Sequence, residues 1–313
     1  MQSVAHGNDI LRIGTRGSPL ALAQAHEVRE RLASIHPDSR ERVKLEIIRT
    51  SGDLIRDRPL MEIGGKGLFT KEIEQALLAG RIDAAVHSAK DMPTVLPARL
   101  AIAAVPPRED ARDVFISRRA KSLRDLHKGA IVGTASLRRQ ALVKSLRPDL
   151  SVVSIRGNVE TRLAKLQAGA VDAIVLALAG LKRLGIAERA TAVLEVDEFL
   201  PAAGQGIIAI ETRADDTHVM AFLAALNDFP SATALCAERA FLALLEGSCR
   251  TPIAAHAVLH EGRLHFRGLI AKPDGSERFS IERDGVPDDA FLIGADAGRE
   301  LKARAGADFF RPA

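Results

Sequence analysis

Apolar and polar positions follow two different periodicities along the first two thirds of the chain. Short alternating or continuous apolar runs predict strands over residues 11–15, 43–49, 82–87, 130–134, 151–155 and 173–176. Segments with helical spacing predict helices over 69–78, 136–146 and 158–167. A further helix begins at Ser18, where a capping hydroxyl precedes a proline in the first turn. This alternation predicts an α/β fold with a largely parallel sheet covered by helices.

Two short patterns occur twice and suggest two related units. Ile-Gly-Thr over 13–15, followed by Ser18, resembles Val-Gly-Thr over 132–134, followed by Ser136, and GRIDAAV from residue 80 resembles GAVDAIV from residue 169. The glycines at 14 and 80 lie 66 residues apart and those at 133 and 169 only 36 apart (80 − 14 and 169 − 133). The first unit therefore carries about 30 extra residues, with residues 50–68 as the obvious candidate. The patterns indicate either two lobes of one topology or a chance similarity.

Prolines and glycines separate these units from a third region. Pro106 and Pro107 end the first unit, and the PAAGQG segment over 201–206 ends the second. If the strand over 207–211 and the helix over 219–226 return to the first lobe, two chain crossings form a hinge beside a cleft. A small α+β domain is predicted from a helix over 232–245, strands near 253–259, 263–271 and 278–283, and a last helix.

Composition is that of an ordinary globular protein. The 313 residues are 47% hydrophobic and 27% charged, and no apolar run approaches the roughly 18 residues of a membrane span. Residues 1–9 lack the regions of a secretory signal, and two cysteines favour a reducing compartment, so we expect a cytoplasmic protein. Of the 44 basic residues only 11 are lysines, which leaves 33 arginines (44 − 11). With no Trp or Tyr and no run of five basic residues, nucleic acid is not the expected partner.

Five arginines lie where predicted strands are followed by helices, namely Arg16, Arg138, Arg139, Arg156 and Arg162. Helix N-termini bind anions, and ligands of open α/β sheets bind at the carboxyl ends of the strands. Arginine also matches a carboxylate or phosphate with two parallel hydrogen bonds. We therefore expect a polyanion between the lobes. Solvated surface charge, the other interpretation, accounts for any one of these residues but poorly for all five.

Two further segments contribute candidates. The GGKG segment over 64–67 matches neither a nucleotide P-loop nor a dinucleotide fingerprint, and is either a flexible turn or a lid with a cationic tip. Lys90 and Asp91 follow the strand over 82–87, where ligands of such sheets bind. An aspartate among cations stays ionised and can stabilise a developing positive charge, although a plain ion pair is the commoner role.

The two cysteines have different settings. Cys236 lies inside a predicted helix beside alanines, so we expect a small buried side chain. Cys249 follows Gly247 on a loop, where an accessible thiol can act as a nucleophile, although a lone loop cysteine is more often inert. Metal binding is not expected, because His256 and His260 are four residues apart in a predicted strand rather than in a helix.

Eight stretches closely resemble the porphobilinogen deaminase (hydroxymethylbilane synthase) family. They run in family order: RIGTRGSPLAL from residue 12, GGKGLF from 64, AVHSAKDMP from 85, GTASLRRQ from 133, RGNVETRL from 156, DAIVLALAGLKRLG from 172, LPAAGQG from 200 and LEGSCRTP from 245. One departure is Ser248, where the family usually has glycine. A serine is tolerated there unless the position needs a positive φ.

The resemblance implies an α/β fold with two lobes like those of type II binding proteins, each with a mixed sheet, and a small C-terminal α+β domain. We expect lobe 1 at residues 8–106 and 202–226, lobe 2 at 107–201 and the C-terminal domain at 227–313. It implies a transferase of porphyrin and heme biosynthesis that condenses four porphobilinogen molecules head to tail into hydroxymethylbilane and releases ammonia. The chain grows on a dipyrromethane cofactor joined by a thioether to Cys249.

The family's pattern also implies residue roles, with Asp91 as the catalytic carboxylate. The cofactor-binding residues are Cys249, Lys90, Arg138, Arg139, Ser136, Asp53, Gly204 and Gln205. The substrate-binding residues are Arg16, Ser18, Arg156, Arg162, Arg183 and Phe69. Each pyrrole brings two carboxylates, so a growing chain needs many bidentate cations. A buried, ionised Asp91 would stabilise the azafulvenium cation that remains when ammonia leaves. No metal, nucleic acid or membrane partner is expected, and nothing demands more than a monomer.

A non-catalytic, two-lobed binding protein for a polycarboxylate anion is the alternative function. It accounts for the cleft and the arginines but not for an accessible Cys249 on an appended domain. The intact mass separates the two functions: the transferase should exceed its sequence mass by two porphobilinogens less two ammonias, whereas the binding protein should not.

Overall fold

The computed structural model describes residues 11–37, 41–54, 68–245, 251–306 and 309, with the backbone alone at 53 and 54. Within these residues the chain forms two five-stranded sheets and one three-stranded sheet. Each five-stranded sheet forms the centre of one lobe, and the three-stranded sheet belongs to the C-terminal domain.

The sheet of lobe 1 is mixed. Its strands are β1 (Leu11–Thr15), β2 (Val43–Ile47), β3 (Ala84–Ser88), β4 (Leu100–Ala104) and β10 (Ile208–Arg213). They lie in the order β2-β1-β3-β10-β4, with β10 antiparallel to both of its neighbours. The helices of this lobe are α1 (Pro19–Ile35), α2 (Ser51–Leu54), α3 (Lys71–Leu78) and α7 (Thr217–Ala224). Helix α1 buries Val28 and Leu32 against Ile13 and Val86, which places the core of the lobe between helix and sheet.

The sheet of lobe 2 has the same architecture. Its strands are β5 (Asp113–Ser117), β6 (Ile131–Gly133), β7 (Ser151–Val153), β8 (Ala173–Ala177) and β9 (Ala192–Leu194), and its helices are α4 (Leu137–Leu146), α5 (Val159–Gln167) and α6 (Leu178–Arg183). The order β7-β6-β8-β5-β9 places the parallel strands β7, β6 and β8 on one side. Strand β5 is antiparallel to β8 and β9.

The internal repeat is therefore a repeat of topology. A Cβ on Gly14 would lie 2.4 Å from the side chain of Ile82, and one on Gly133 would lie 2.6 Å from that of Ile155, so both glycines allow the same close packing. The aspartates of the second pattern also match, because Asp83 Oδ2 accepts from the Arg12 backbone N–H at 2.9 Å and Asp172 Oδ2 from that of Ile131 at 2.8 Å. The prediction of two lobes of one topology is confirmed. Each sheet is mixed rather than wholly parallel, because β10 and β5 enter from the other lobe.

The C-terminal domain pairs a meander with two helices. Its strands β11 (Ile253–His260), β12 (Arg263–Ala271) and β13 (Arg278–Gly285) are antiparallel, and its helices are α8 (Phe229–Leu244) and α9 (Ala290–Ala305). The α8–α9 contact is very close, since a Cβ on Gly294 would lie 2.0 Å from the carbonyl oxygen of Ala237. Phe241 and Phe266 meet edge to face in the core, with ring centroids 5.2 Å apart.

Two segments, 105–112 and 195–207, connect the lobes. They touch where Glu109 N–H donates to the carbonyl of Gly206 at 3.2 Å. Gly206 has a φ of +86°, and a Cβ there would lie 2.2 Å from the Glu109 carbonyl oxygen, so only glycine fits this crossing.

No single helix in the described ranges is both long and apolar enough to cross a bilayer. Helices α7 and α8 reach that length and apolarity only together, as a pair bent by 119°.

Candidate functional site

The predicted residues of lobe 1 lie along one edge of its sheet. Strands β1 and β3 are parallel neighbours, so Arg16 after β1 and Lys90 and Asp91 after β3 follow the same edge. A 3₁₀ turn over Ala89–Asp91 begins directly after β3, and its first N–H donates to the Ile207 carbonyl at 3.0 Å. Ser18 caps α1 by accepting from a backbone N–H at 3.3 Å, as predicted.

Lobe 2 presents its predicted residues at the corresponding edge. Ser136 caps α4 and accepts from the Arg139 backbone N–H at 3.4 Å, which fixes the two arginines in the first turn. Asn158 caps α5 between Arg156 and Arg162. Because β6 and β7 are parallel neighbours, both helix N-termini lie at the same edge of the sheet.

Arg138 and Arg139 converge on one buried carboxylate, that of Asp113. Arg138 Nη2 donates to Asp113 Oδ2 at 2.7 Å and Arg138 Nη1 to the Leu200 carbonyl at 2.7 Å. Arg139 Nε and Nη2 donate to Asp113 Oδ1 at 3.0 and 2.7 Å. Burial alone would raise the pKa of Asp113, but the two guanidinium charges outweigh it and hold that pKa below its usual range. Arg138 Nε is buried and has no hydrogen-bond partner among the residues that the structure describes.

The Lys90 side chain is half-buried. Its Nζ donates to Gln205 Oε1 at 3.4 Å. Burial, reinforced by the charge of Arg139, lowers the pKa of Lys90 to about 8, while Asp91 and Asp113 act in the opposite direction. Burial and the same arginine lower the pKa of Arg162 to about 10, again against the charge of Asp91. Asp91 thus interacts with a cation from each lobe.

This constellation, which we term the cation cluster, comprises Lys90, Arg138, Arg139, Arg156 and Arg162. Its carboxylates are Asp91 and Asp113, so Lys90, Arg138, Arg139 and Arg162 alone exceed them by two positive charges (4 − 2). Like charges gathered in a partly desolvated cleft are unfavourable without a counter-anion. The excess charge and the unpartnered Arg138 Nε both fit a ligand rich in carboxylates, which is the chemistry of a dipyrromethane with acetate and propionate groups.

Gly204 approaches this region, while Arg16 and Phe69 lie against each other. Gly204 has a φ of +71°, and a Cβ there would lie 3.0 Å from the Lys90 backbone nitrogen, so this glycine allows the connecting segment to approach Lys90. The Arg16 guanidinium carbon lies 4.2 Å from the centroid of the Phe69 ring, within cation–π distance.

Arg183 is placed elsewhere. Its Nε donates to Glu27 Oε2 at 2.9 Å and its Nη2 to the Gly206 carbonyl at 3.0 Å. Since Glu27 belongs to α1 and Arg183 to α6, this ion pair joins the two lobes at the crossing.

Some predicted residues cannot be located. Cys249, Ser248 and the GGKG segment over 64–67 lie outside the described residues, as does the side chain of Asp53. Their roles stay predictions.

The expected burial of Cys236 is wrong, because its side chain is exposed. The buried face of α8 carries Leu235, Ala237 and Phe241, whereas Cys236 shares the outer face with the half-exposed Ala232. The alanines near it in sequence do not mark the buried side of the helix.

The two histidines lie in strand β11, as predicted. Burial lowers the pKa of His256 to about 4, with a further contribution from the Arg108 charge. Within the described residues no group of three or more His, Cys, Asp or Glu side chains could hold a metal ion.

Sequence reasoning missed two buried carboxylates, Asp113 and Glu238. Glu238 Oε2 accepts from Gly204 N–H at 2.6 Å, while Oε1 accepts from Ala257 N–H at 2.7 Å and from Arg108 Nη1 at 2.6 Å. The usable signal for Glu238 was a lone charge on the apolar face of a helix. Asp113 ends the charged segment PREDARD, where no strand was predicted.

The sheets and the cation cluster define a two-lobed α/β protein with a positively charged site to which both lobes contribute. Residues 11–221 match the model described as "Porphobilinogen deaminase, dipyromethane cofactor binding domain", and residues 232–303 match "Porphobilinogen deaminase, C-terminal domain". The chain belongs to the porphobilinogen deaminase family.

Relatives support this over the whole length. Porphobilinogen deaminase of Nitrobacter hamburgensis is 62% identical over 310 residues, which is 99% of this chain and 98% of that protein. The Paracoccus denitrificans protein of the same name is 54% identical over 300 residues, 96% of each chain. The chloroplastic protein of Oryza sativa is 54% identical over 306 residues, 96% of this chain and 86% of that one.

Membership in this family confirms three predictions. The protein has two α/β lobes with mixed sheets and a C-terminal domain, it is a transferase of tetrapyrrole biosynthesis, and its cofactor is a dipyrromethane. The alternative of a non-catalytic binding protein is not supported. The roles of individual residues stay predictions.

Proposed function

We propose that this chain joins four porphobilinogen molecules head to tail into hydroxymethylbilane at the cation cluster, releasing one ammonia per condensation. The observation that carries this proposal is the excess of positive charge around Asp91, contributed by both lobes. The protein acts in the cytoplasm as a monomer, with lobe 1 at residues 8–106 and 202–226, lobe 2 at 107–201 and the C-terminal domain at 227–313.

The cofactor side of the site is formed by the residues nearest Lys90. When bound through a thioether to Cys249, the dipyrromethane supplies the pyrrole carbon to which the first substrate is joined. We expect the cofactor to be bound by Lys90, Arg138, Arg139, Ser136, Asp53, Gly204 and Gln205, with its carboxylates on the cationic side chains among them. Charge-assisted hydrogen bonds to the unpartnered Arg138 Nε and to Lys90 would offset the desolvation of both groups.

The substrate side contains the remaining cations. Acetate and propionate groups of porphobilinogen bind to Arg16, Ser18, Arg156, Arg162 and Arg183, and Phe69 completes the substrate-binding residues. Arg183 would have to exchange its present partner Glu27 for a substrate carboxylate, so its contribution depends on how far the lobes are closed.

Asp91 is the residue that stabilises positive charge on the substrate and accepts a proton. Its carboxylate interacts electrostatically with Lys90 of lobe 1 and Arg162 of lobe 2, and Asp91 follows the carboxyl end of β3. There it stabilises the positive charge that develops on the substrate as ammonia leaves. It then accepts the proton that is released when the new carbon–carbon bond forms.

Substitution of Asp91 tests this role. Asp91→Asn keeps the shape and removes the charge, so the covalent cofactor should remain while turnover falls at least about 10²-fold. Asp91→Glu should retain more activity, because it keeps the charge with one methylene of misplacement. Turnover per cofactor-loaded molecule and the melting temperature are measured on the same preparations.

Asp83→Asn is the matched control. Asp83 is a carboxylate at the other end of β3, and it pairs with Arg12 Nη2 at 2.8 Å. This variant should melt at a lower temperature and keep its turnover. Near-normal turnover of Asp91→Asn would remove Asp91 from the mechanism. An intact mass equal to the sequence mass in the wild-type protein would refute covalent attachment of the cofactor.

A further inference from the structure

Asp113 lies at the first position of β5, and none of its side chain is exposed. It accepts hydrogen bonds from three side chains, those of Arg138, Arg139 and Gln205, the last from Nε2 at 3.0 Å. The two arginines are adjacent in sequence, so on an α-helix they point about 100° apart. A single buried carboxylate thus draws two like-charged side chains together.

We propose that Asp113 is a positioning residue for the condensation reaction, which sets the orientation and the net charge of the Arg138–Arg139 pair. It acts through these arginines and need not contact substrate or cofactor. The inference rests on the proposed role of the two arginines in holding carboxylates.

Hydrogen-bond geometry supports the orienting role. Arg139 uses Nε and Nη2 on Asp113 and Nη1 on the Val175 carbonyl at 3.0 Å, so its guanidinium plane is fixed. Arg138 is held at Nη1 and Nη2, and its Nε remains the polar atom without a partner. Without Asp113 the two guanidinium groups would repel each other and lose this arrangement.

Charge supports the second part of the role. With Asp113 ionised, the pair carries one net positive charge rather than two. Asp113 also raises the pKa of Lys90, opposing burial and the charges of Arg138 and Arg139, while Asp91 acts in the same direction as Asp113. Gln205 links the two groups directly, since its Nε2 donates to Asp113 and its Oε1 accepts from Lys90 Nζ.

The test compares Asp113→Asn with Asp149→Asn as cofactor-loaded proteins. Asp149 is a matched control because it accepts from Arg147 Nε and Nη2 at 2.7 and 2.6 Å, at the opposite end of α4 from the cation cluster. KM and kcat are measured per loaded molecule. The pH dependence of Lys90 acylation is followed by peptide mass spectrometry.

Asp113→Asn should lower kcat/KM about 10²-fold, mainly through KM, as expected for misplaced binding groups. The midpoint of Lys90 acylation should move to lower pH, because a neighbouring negative charge is lost. Asp149→Asn should change neither quantity. If Asp113→Asn does not fold, Asp113→Glu replaces it: the longer carboxylate should raise KM about 10-fold and leave the Lys90 midpoint in place.

A lower melting temperature with unchanged KM and an unchanged Lys90 midpoint would show that Asp113 is merely structural, and would overturn the proposal. Failure of the proposed function is recognised separately, because the wild-type protein would then lack the added mass or form no hydroxymethylbilane.

Discussion

Replacing Glu238 by alanine removes the carboxylate that ties the C-terminal domain to both connecting segments. Glu238 lies in α8 with none of its side chain exposed. It binds Arg108 of the first segment, Gly204 of the second, and Ala257 of strand β11. All three donors lose their acceptor in the variant, and two of them are backbone N–H groups.

The magnitude follows from these contacts. Each buried N–H left without a partner costs about 1–3 kcal/mol, so the two backbone donors contribute about 2–6 kcal/mol. Arg108, whose side chain is 12% exposed, additionally loses its counter-ion. Breaking a buried ion pair by removing one partner costs about 3–5 kcal/mol in all. Because water can enter the space left by the side chain, we expect the total loss to stay within about 3–5 kcal/mol.

Urea unfolding followed by circular dichroism measures this loss, with Glu282→Ala as the control. Glu282 pairs with Arg267 Nε at 3.2 Å, but its side chain is 73% exposed, so its removal should cost less than about 1 kcal/mol. If Glu238→Ala lowers the free energy of unfolding by less than about 1 kcal/mol, Glu238 does not stabilise the contact between the C-terminal domain and the connecting segments. Equal losses in the two variants would refute this role as well.

Three further substitutions or titrations follow from the site. Cys249→Ser should fold but lack the added cofactor mass, since a hydroxyl is a far poorer nucleophile than a thiolate. Cys236→Ser should keep its cofactor, and its free energy of unfolding should change by less than about 0.5 kcal/mol because the Cys236 side chain is exposed. In the cofactor-free Cys249→Ser protein, Lys90 should lose its proton near pH 8. In the loaded protein the midpoint of Lys90 deprotonation should lie at higher pH, because bound carboxylates favour the charged amine. Equal midpoints in the two proteins would contradict carboxylate binding at Lys90. Gly52→Ala places a Cβ 2.3 Å from the Phe69 ring, so it should lower the free energy of unfolding by about 1–3 kcal/mol and raise KM. An unchanged KM would show that Phe69 takes no part in substrate binding.

The sequence pattern predicted most elements because their periodicity is local. Strand β1 and strand β12 have the predicted bounds, and Ser18 and Ser136 cap the helices expected of them. Strand β9 was missed, although β6 and β7, which are equally short, were predicted within longer runs. Helix α6 was missed because it follows β8 without a turn, so one apolar run covers both elements.

The site was predictable only in part. Arginines at helix N-termini are visible in the sequence, because capping residues and strand ends are local signals. The partners of these arginines are not: Asp113 lies 25 residues before Arg138, and Glu238 lies 130 residues after Arg108. Their burial arises only when two lobes and a third domain come together, and no local pattern encodes it.

The position of β10 constrains the order in which a chain leaving the ribosome can fold. All strands of the second lobe lie between residues 113 and 194, so that sheet can close while the rest of the chain is still being made. The first lobe cannot close, because β10 sits between β3 and β4 and ends only at Arg213. Until then the edges of β3 and β4 that pair with β10 have unpaired backbone N–H and C=O groups. Such strand edges are prone to pair with other chains. The lobe synthesised first is therefore completed second.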